Sequence, residues 1–122
     1  MYREIKVGEK SIPMLANGAT PIRYRMTFGK DIISEFEQGQ KDSGKASSSI
    51  SELAFIMAKA AEAMNDKKPM AALNQTNFVE WLEQFEPLDL TLASEDIIDL
   101  YMGNEKTLSE AKKNSRDAVS DK

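Results

Sequence analysis

Three groups of closely spaced carboxylates are the candidates for chemistry in this sequence. They are Glu80 with Glu83, Glu95 with Asp96 and Asp99, and Glu35 with Glu37. Paired carboxylates can act as general acid and base or bind a hard cation. The second group falls in the first turn of a predicted helix, where the helix dipole favours negative charge without any metal. A structural role is therefore the preferred interpretation, and none of the three groups indicates an enzyme.

The residues that most enzymes depend on are missing from the chain. It contains no cysteine and no histidine, which excludes thiolate nucleophiles, imidazole bases, Cys/His zinc sites and disulfides. It also lacks a phosphate-binding loop and a G-x-S-x-G motif. We expect a protein that is not an enzyme and that needs no cofactor or metal.

Length and charge limit the class of protein further. A chain of 122 residues has the size of one domain with its own core. A net charge of -4 argues against nucleic-acid binding, which needs clustered Lys and Arg. No apolar run reaches the length of a membrane span, and the first residues do not resemble a signal peptide. We therefore predict neither a nucleic-acid partner nor a membrane partner.

The predicted fold is organised around a helix over residues 49–66. Ser49 with Glu52 three residues later forms a capping-box pattern that predicts the start of this helix. Apolar residues cover at least half of its circumference, so the helix should be buried on more than one side. The Lys67-Lys68-Pro69 sequence predicts its end.

Phe55 does not fit the apolar pattern of this helix. Its helical angle places it on the polar face, together with Glu52, Lys59 and Glu62. We therefore predict that Phe55 is exposed and that it contacts a partner together with Lys59 and Glu62.

A β-hairpin and a second helix are predicted before the central helix. Residues 1–19 alternate apolar and polar side chains on both sides of Gly8, which predicts the hairpin. Thr20-Pro21 predicts the start of a helix that ends near Phe36. Its predicted apolar face consists of Ile22, Met26, Ile33 and Phe36, extended by Tyr24, Phe28 and Ile32. Arg25 lies on the apolar side of that helix. Either its stem lies along the core edge with its head in water, or it forms a buried or intersubunit ion pair.

The rest of the chain completes a mainly α fold, with an N-terminal hairpin followed by about four to five helices. The Gly/Ser-rich segment 38–48 is predicted to be a loop. An amphipathic pattern predicts a helix over residues 77–85 that buries Trp81. The segment 87–103 should add a last apolar region that ends at Gly103. The residues expected to face inward there are Leu88, Leu92, Ile97, Leu100 and Tyr101. Residues 1–104 then form one domain, and the polar segment 105–122 is predicted to be a disordered tail.

Five segments follow one another along the chain and together carry a family resemblance. They are EIKVGEKSIP, ATPIRYRMTFGKDII, LAFIMAKAA, VEWLEQF and DIIDLYMGN, before a polar tail that contains lysine. In this order they resemble the tail assembly chaperones of long-tailed phages and prophages of Gram-positive bacteria. The most specific parts are T-P-I-R-Y-R-x-x-F-G-x-D and W-L-x-Q-F, and the likeness extends to about Asn104.

The resemblance implies a small, mostly helical protein with no catalytic residue. Such a chaperone coats the tape measure protein, keeps it soluble and promotes polymerisation of the tail tube. It acts in the host cytoplasm and is lost from the mature virion. Its expected partners are the tape measure protein, the major tail protein and further copies of itself. Phe55, Arg25, Lys59 and Glu62 are the candidate partner-binding residues.

Two other classes of function stay open. One is a structural phage protein, such as a tail or head-tail connector component, that remains in the virion. The other is a general helical interaction module. A chaperone should be absent from purified particles, whereas a structural component should be present in them.

Overall fold

The structure of the protein, a computed structural model, describes residues 1–103. Its elements in chain order are β1 (Tyr2–Val7), β2 (Lys10–Leu15), α1 (Thr20–Phe28), α2 (Ile32–Gly39), α3 (Ser43–Asn65), α4 (Gln75–Leu82), α5 (Asp89–Leu92) and α6 (Ser94–Met102). The predicted class, mainly helical with an N-terminal hairpin, is confirmed. The described residues contain six helices because two of the predicted helical segments are each divided in two. The predicted disordered tail, residues 105–122, lies outside the described residues.

The hairpin forms where the sequence predicts it. β1 and β2 are antiparallel, and Val7 pairs with Lys10 across a two-residue turn. Gly8 adopts a φ of +63° in that turn, a left-handed conformation that glycine adopts without steric cost. Alternation along β1 buries Ile5 and Val7 and exposes Glu4 and Lys6. The hairpin therefore covers one side of the helices with a single apolar face.

The predicted single helix between Pro21 and Phe36 is wrong, because the chain breaks at Gly29. Gly29 has a φ of +70°, and its N–H donates a 2.7 Å hydrogen bond to the carbonyl of Arg25. This geometry ends α1 with a left-handed cap. Asp31 then caps α2, since its side chain accepts a 3.0 Å hydrogen bond from the N–H of Ser34.

The break changes which residues face the core. The predicted apolar face is wrong for Ile22, Met26 and Ile33, because all three side chains are exposed. It is correct for Phe36, which packs against the core, and for the residues that extend the face, Tyr24, Phe28 and Ile32. The buried residues on these two helices are Thr20, Tyr24, Phe28, Ile32 and Glu35.

The long helix α3 begins at Ser43, six residues before the predicted start. The predicted loop over residues 38–48 is wrong, since α2 continues to Gly39 and α3 starts four residues later. A Cβ at Gly39 would stand 2.9 Å from the Cβ of Ala46, so small residues allow the two helices to meet at a close corner. Ser49 does not cap the helix but lies within it and is fully buried.

The core of the described residues surrounds α3. Its middle, from Ile50 to Ala58, is buried at every position but Ser51. The hairpin, α1, α2, α5 and α6 all pack against this segment, and one cluster of buried side chains joins them. The predicted central role of this helix is confirmed.

The C-terminal helices complete the core with a few side chains. Ile97 and Leu100 of α6 are fully buried, as predicted, and Gly103 ends α6 with a φ of +75°. Leu88 and Leu92 were also expected to face inward, which is wrong because both are largely exposed. No helix within residues 1–103 is both long enough and apolar enough to cross a membrane.

Candidate functional site

Phe55, the first candidate partner residue, is not on the surface. Its side chain is 0% exposed, so the prediction that it is exposed is wrong. Its ring contacts Phe28, Phe78 and Trp81, with ring centroids 6.4, 5.4 and 5.6 Å apart. Helices α1 and α4 therefore cover the face of α3 that the sequence predicted to be solvated.

The other three candidate residues lie in two different places. Arg25 is exposed on α1, so the interpretation as a buried ion pair is wrong, while the intersubunit one stays a prediction. Lys59 and Glu62 lie together on α3, and their side chains form an ion pair of 3.3 Å. Lys59 and Glu62 therefore contact each other, and within the described residues neither of them contacts Arg25.

Lys59 and Glu62 line an open groove of about 810 Å³. We call it the α3–α4 groove, because it lies between the C-terminal half of α3, the connection over residues 66–74, α4 and β2. Its apolar lining includes Ile12, Pro13, Ala58, Ala63, Leu73 and Trp81. Pockets that bind small-molecule ligands commonly have volumes of about 300–1,000 Å³.

Two local features fix the position of the connection over residues 66–74, which forms one wall of the groove. Lys67 adopts a φ of +56° after the end of α3, and the N–H of Lys68 donates a 3.0 Å hydrogen bond to the carbonyl of Ala63. This Schellman-type ending turns the chain away from the helix axis. At the other end, the Asn74 side chain caps α4 by accepting a 2.8 Å hydrogen bond from the N–H of Asn77.

Trp81 forms part of the floor of the groove and ties it to the core. It is 7% exposed, which confirms its predicted burial. Its ring packs edge-on against Phe85 at 4.9 Å and contacts the fully buried Phe55 at 5.6 Å. Rigid aromatic packing of this kind fixes the position of the floor.

The rim of the groove carries charges of both signs. Lys59 and Lys68 supply positive charge, while Glu62, Asp66 and Glu80 supply negative charge. Ion pairs between exposed side chains contribute little stability, so these groups are available to orient a ligand. An apolar floor with a mixed charged rim fits an amphipathic segment of protein.

A second polar cluster is buried between α1, α2 and α3. Glu52 accepts a 2.8 Å hydrogen bond from the hydroxyl of Tyr24 and lies 3.1 Å from Nζ of Lys30. Lys30 also lies 3.5 Å from Glu35, which accepts a 3.3 Å hydrogen bond from the hydroxyl of Ser49. Burial, the hydrogen bond to Glu52 and its negative charge raise the pKa of Tyr24 well above the ordinary value. The cluster joins three helices and is not part of the groove.

The candidate acidic groups do not assemble into a metal site. In the part of the chain that the structure describes, no three potential ligand side chains converge. Glu35 is buried in the polar cluster, whereas Glu37 is exposed on the other side of α2. Glu80 lies on the rim of the groove, but Glu83 is not among its lining residues.

Sequence reasoning missed both the groove and the polar cluster. The groove joins residues from Ile12 to Gln84, and no local pattern predicts such long-range proximity. One signal was present, since the Lys67-Lys68-Pro69 break and the short apolar segment 70–73 mark a connection with its own contacts. The bond between Tyr24 and Glu52 spans 28 residues and leaves no periodic signal.

The chain was compared with protein-family models, with curated proteins and with solved structures. No family model, curated protein or solved structure matches the chain.

Proposed function

We propose that the protein is a tail assembly chaperone of a long-tailed phage or prophage, and that it binds the tape measure protein in the α3–α4 groove. The observation that most supports this proposal is the groove, which combines an apolar floor at Trp81 with charged rim residues at Lys59 and Glu62. The resemblance of five ordered segments to this family supports the same function. The protein acts in the host cytoplasm by binding alone and is absent from the mature virion.

The chemistry of the groove suggests how binding keeps a partner soluble. Tape measure proteins are long helical chains, and an isolated amphipathic helix exposes an apolar face to water. That face would pack on Ala63, Leu73 and Trp81, and this burial removes apolar surface from solvent. Lys59 and Glu62 would meet the polar flanks of the helix. The major tail protein is a further candidate partner, which would bind once the tape measure protein is coated.

A substitution that fills the groove tests this proposal. Ala63 lies on α3, is half-buried and lines the groove, so Ala63→Trp would occupy the space of the partner. Its neighbour Met64 is 46% exposed and is not among the lining residues, so Met64→Trp is the matched control. We expect Ala63→Trp to reduce co-purification of the tape measure protein encoded in the same genome at least tenfold.

The control decides how the result is interpreted. Met64→Trp should bind the tape measure protein as the unmodified protein does. The free energy of unfolding of both variants should lie within about 1 kcal/mol of that of the unmodified protein. Equal binding by both variants would place the partner elsewhere on the surface. The fraction of tape measure protein that stays soluble on co-expression gives a second readout.

Purified particles distinguish the chaperone from a structural component. We expect mass spectrometry of intact virions to find the chain absent or present only in traces. A stoichiometric amount relative to the major tail protein would identify it as a retained tail or connector protein instead.

A further inference from the structure

The connection between β2 and α1 contains the sequence Asn17-Gly18, and both residues are exposed. The chain has six asparagines, and Asn17 is the one that glycine follows. This pair is chemically labile, because the backbone nitrogen of the second residue can attack the side-chain amide of the first. A Cβ on the second residue hinders the attack, and glycine has none. The space around Gly18 is also open, since an added Cβ would meet no atom within 4 Å.

Hydrogen bonds hold the amide of Asn17 in an arrangement that favours this reaction. Its Oδ1 accepts a 2.9 Å hydrogen bond from the N–H of Ala19, which forms an Asx turn. In the reaction that oxygen gains negative charge, and a donor already directed at it stabilises the charge. The nucleophile is available as well, because the N–H of Gly18 donates no hydrogen bond to any residue within 1–103.

The backbone of Asn17 is tied to the start of α1 by two hydrogen bonds with Thr20. The N–H of Asn17 donates a 2.9 Å hydrogen bond to Oγ1 of Thr20, and its carbonyl accepts a 3.0 Å hydrogen bond from the N–H of Thr20. Thr20 is only 2% exposed. A change in the main chain at Asn17 therefore acts directly on the junction between the hairpin and α1.

We infer that Asn17 is a site of self-modification, at which its amide is converted to a carboxylate. The nitrogen of Gly18 loses its proton to water or hydroxide and forms a bond to Cγ of Asn17. The bond from Cγ to Nδ2 breaks, and Nδ2 takes up a proton and leaves as ammonia. Water then hydrolyses the cyclic imide at one of its carbonyl carbons, which leaves aspartate or isoaspartate at position 17. The net reaction consumes one water and releases one ammonia, and nothing is oxidised or reduced.

The two products should affect the junction in opposite ways. Aspartate adds a negative charge next to the N-terminus of α1, whose first turn has no acidic residue and whose cap lacks a side-chain hydrogen bond. The helix dipole favours a negative charge at this end. Isoaspartate instead lengthens the main chain by one methylene group between the N–H and the carbonyl that bond to Thr20, which disturbs the geometry of both hydrogen bonds.

The modification therefore changes the stability of the junction as the protein ages. None of residues 16–19 lines the α3–α4 groove, so this inference does not depend on the proposed function.

Peptide mapping by mass spectrometry tests the inference on the full chain. The folded protein is incubated at neutral and at mildly alkaline pH, in parallel with the same chain unfolded in guanidinium chloride. Gly18→Ala is the test variant, since its Cβ hinders the attack but meets no other atom within 4 Å. Asn74 is the internal control, because its Oδ1 also accepts a backbone hydrogen bond, of 2.8 Å, but Gln75 follows it.

We expect Asn17 to be converted in the folded chain at a rate within tenfold of that in the unfolded chain. The reaction should be faster at alkaline pH, because the nitrogen of Gly18 must lose its proton. Each completed conversion makes the net charge one unit more negative than -4, which ion-exchange chromatography resolves. Asn74 should stay intact, and Gly18→Ala should slow the conversion of Asn17 at least tenfold.

Thermal unfolding of the separated products measures the effect on the junction. The isoaspartate form should unfold at a lower temperature than the unmodified chain. The variant Asn17→Asp, which represents the aspartate form, should unfold at an equal or higher temperature.

Three results would overturn the inference. One is a folded chain in which Asn17 stays intact, whether or not the unfolded chain is converted. Another is equal conversion of Asn17 and Asn74, or an unchanged rate in Gly18→Ala, since either would exclude attack by the nitrogen of Gly18. The third is an isoaspartate form as stable as the unmodified chain, which would show that the junction does not respond to the modification.

Discussion

The hydroxyl of Tyr24 stabilises the packing of α1 on α3 through a buried carboxylate. It donates a 2.8 Å hydrogen bond to Glu52, which also lies 3.1 Å from Lys30. The lysine compensates the charge of Glu52, but an ionised Tyr24 would place a second negative charge in the same buried site. The fold therefore favours the neutral phenol, and the pKa of Tyr24 is raised.

This raised pKa predicts a loss of stability at alkaline pH. The ordinary pKa of tyrosine is 10.0, so above that pH the unfolded chain loses the proton while the folded chain keeps it. The stabilisation is then fully present below pH 10.0 and decreases above it, by at most about 1.4 kcal/mol per pH unit.

Tyr24→Phe tests this pH dependence by denaturant unfolding. At neutral pH the variant should lose about 1.5–3 kcal/mol, because a hydrogen bond to a charged group is lost. Between about pH 10 and about pH 11 the difference from the unmodified chain should become smaller. A difference that stays constant over this range would contradict the account.

Phe55 is expected to behave as a core residue. Phe55→Ala should reduce the free energy of unfolding by about 3–5 kcal/mol, since it leaves a cavity among three aromatic rings. Met26→Ala is the control for a large but exposed side chain, and it should change the free energy of unfolding by less than about 0.5 kcal/mol. Denaturant unfolding measures both values. A small loss for Phe55→Ala would show either that neighbouring side chains fill the cavity or that Phe55 is exposed.

The position of Phe55 shows where reasoning from helical angle fails. Glu52 marked its face as polar, yet Glu52 is only 9% exposed because Tyr24 and Lys30 satisfy its charge. A buried, paired carboxylate has the same sequence signal as an exposed one. The true surroundings of Phe55 follow from contacts with residues far away in the chain, which a single helix cannot reveal.

At the scale of elements, the wrong prediction of one helix over residues 21–36 comes from the turn at Gly29. A continuous helix over residues 21–36 places Ile22, Met26 and Ile33 on one face, but the left-handed turn at Gly29 starts a new helix axis. Each short helix then buries its own pair four residues apart, Tyr24 with Phe28 and Ile32 with Phe36. Within α1 the same four-residue spacing fits two pairs, Ile22 with Met26 and Tyr24 with Phe28, and only the second pair is buried. Apolar periodicity alone therefore does not select the face of α1 that packs on the core.

The predicted long loop fails for a related reason. Gly, Asp and Ser are frequent in turns and loops, and they supply six of the eleven residues in the segment 38–48. In the fold, the absence of a side chain at Gly39 lets α2 approach Ala46 of α3 closely. Small residues here serve close helix packing, a role that composition does not distinguish from chain flexibility.

Gly29→Ala tests whether the left-handed turn sets the geometry of these two helices. An added Cβ at Gly29 would meet no atom within 4 Å, so its effect comes from the φ of +70° alone. We expect a loss of about 1–2 kcal/mol in the free energy of unfolding, the cost of a left-handed conformation for a residue with a Cβ.

Gly18→Ala is the matched control for this substitution. A Cβ at Gly18 would also meet no atom within 4 Å, but its φ lies outside the left-handed region. It should be neutral or slightly stabilising, because alanine restricts the unfolded chain. Equal losses at the two glycines would mean that backbone conformation does not explain the break.

At the scale of the molecule, the α3–α4 groove and the buried polar cluster are built from different elements. The groove is lined by residues of β2, α3 and α4 and of the connection between the two helices, whereas the cluster joins α1, α2 and α3.

The hairpin and the helices share one core, which predicts that residues 1–103 unfold as a unit. Met14 of β2 and Trp81 of α4 belong to the same cluster of buried side chains, and Met14 is 0% exposed. Met14→Ala should therefore lower the free energy of unfolding by about 2–5 kcal/mol, and it should destabilise regions far from the hairpin.

Two spectroscopic signals measure this effect. Fluorescence of Trp81 reports on α4, and far-ultraviolet circular dichroism reports on all helices. Both transitions should coincide in the unmodified chain and shift together in the variant, as expected for two-state unfolding. A fluorescence transition that keeps its midpoint while the dichroism transition moves would show that α4 and the hairpin are stabilised separately.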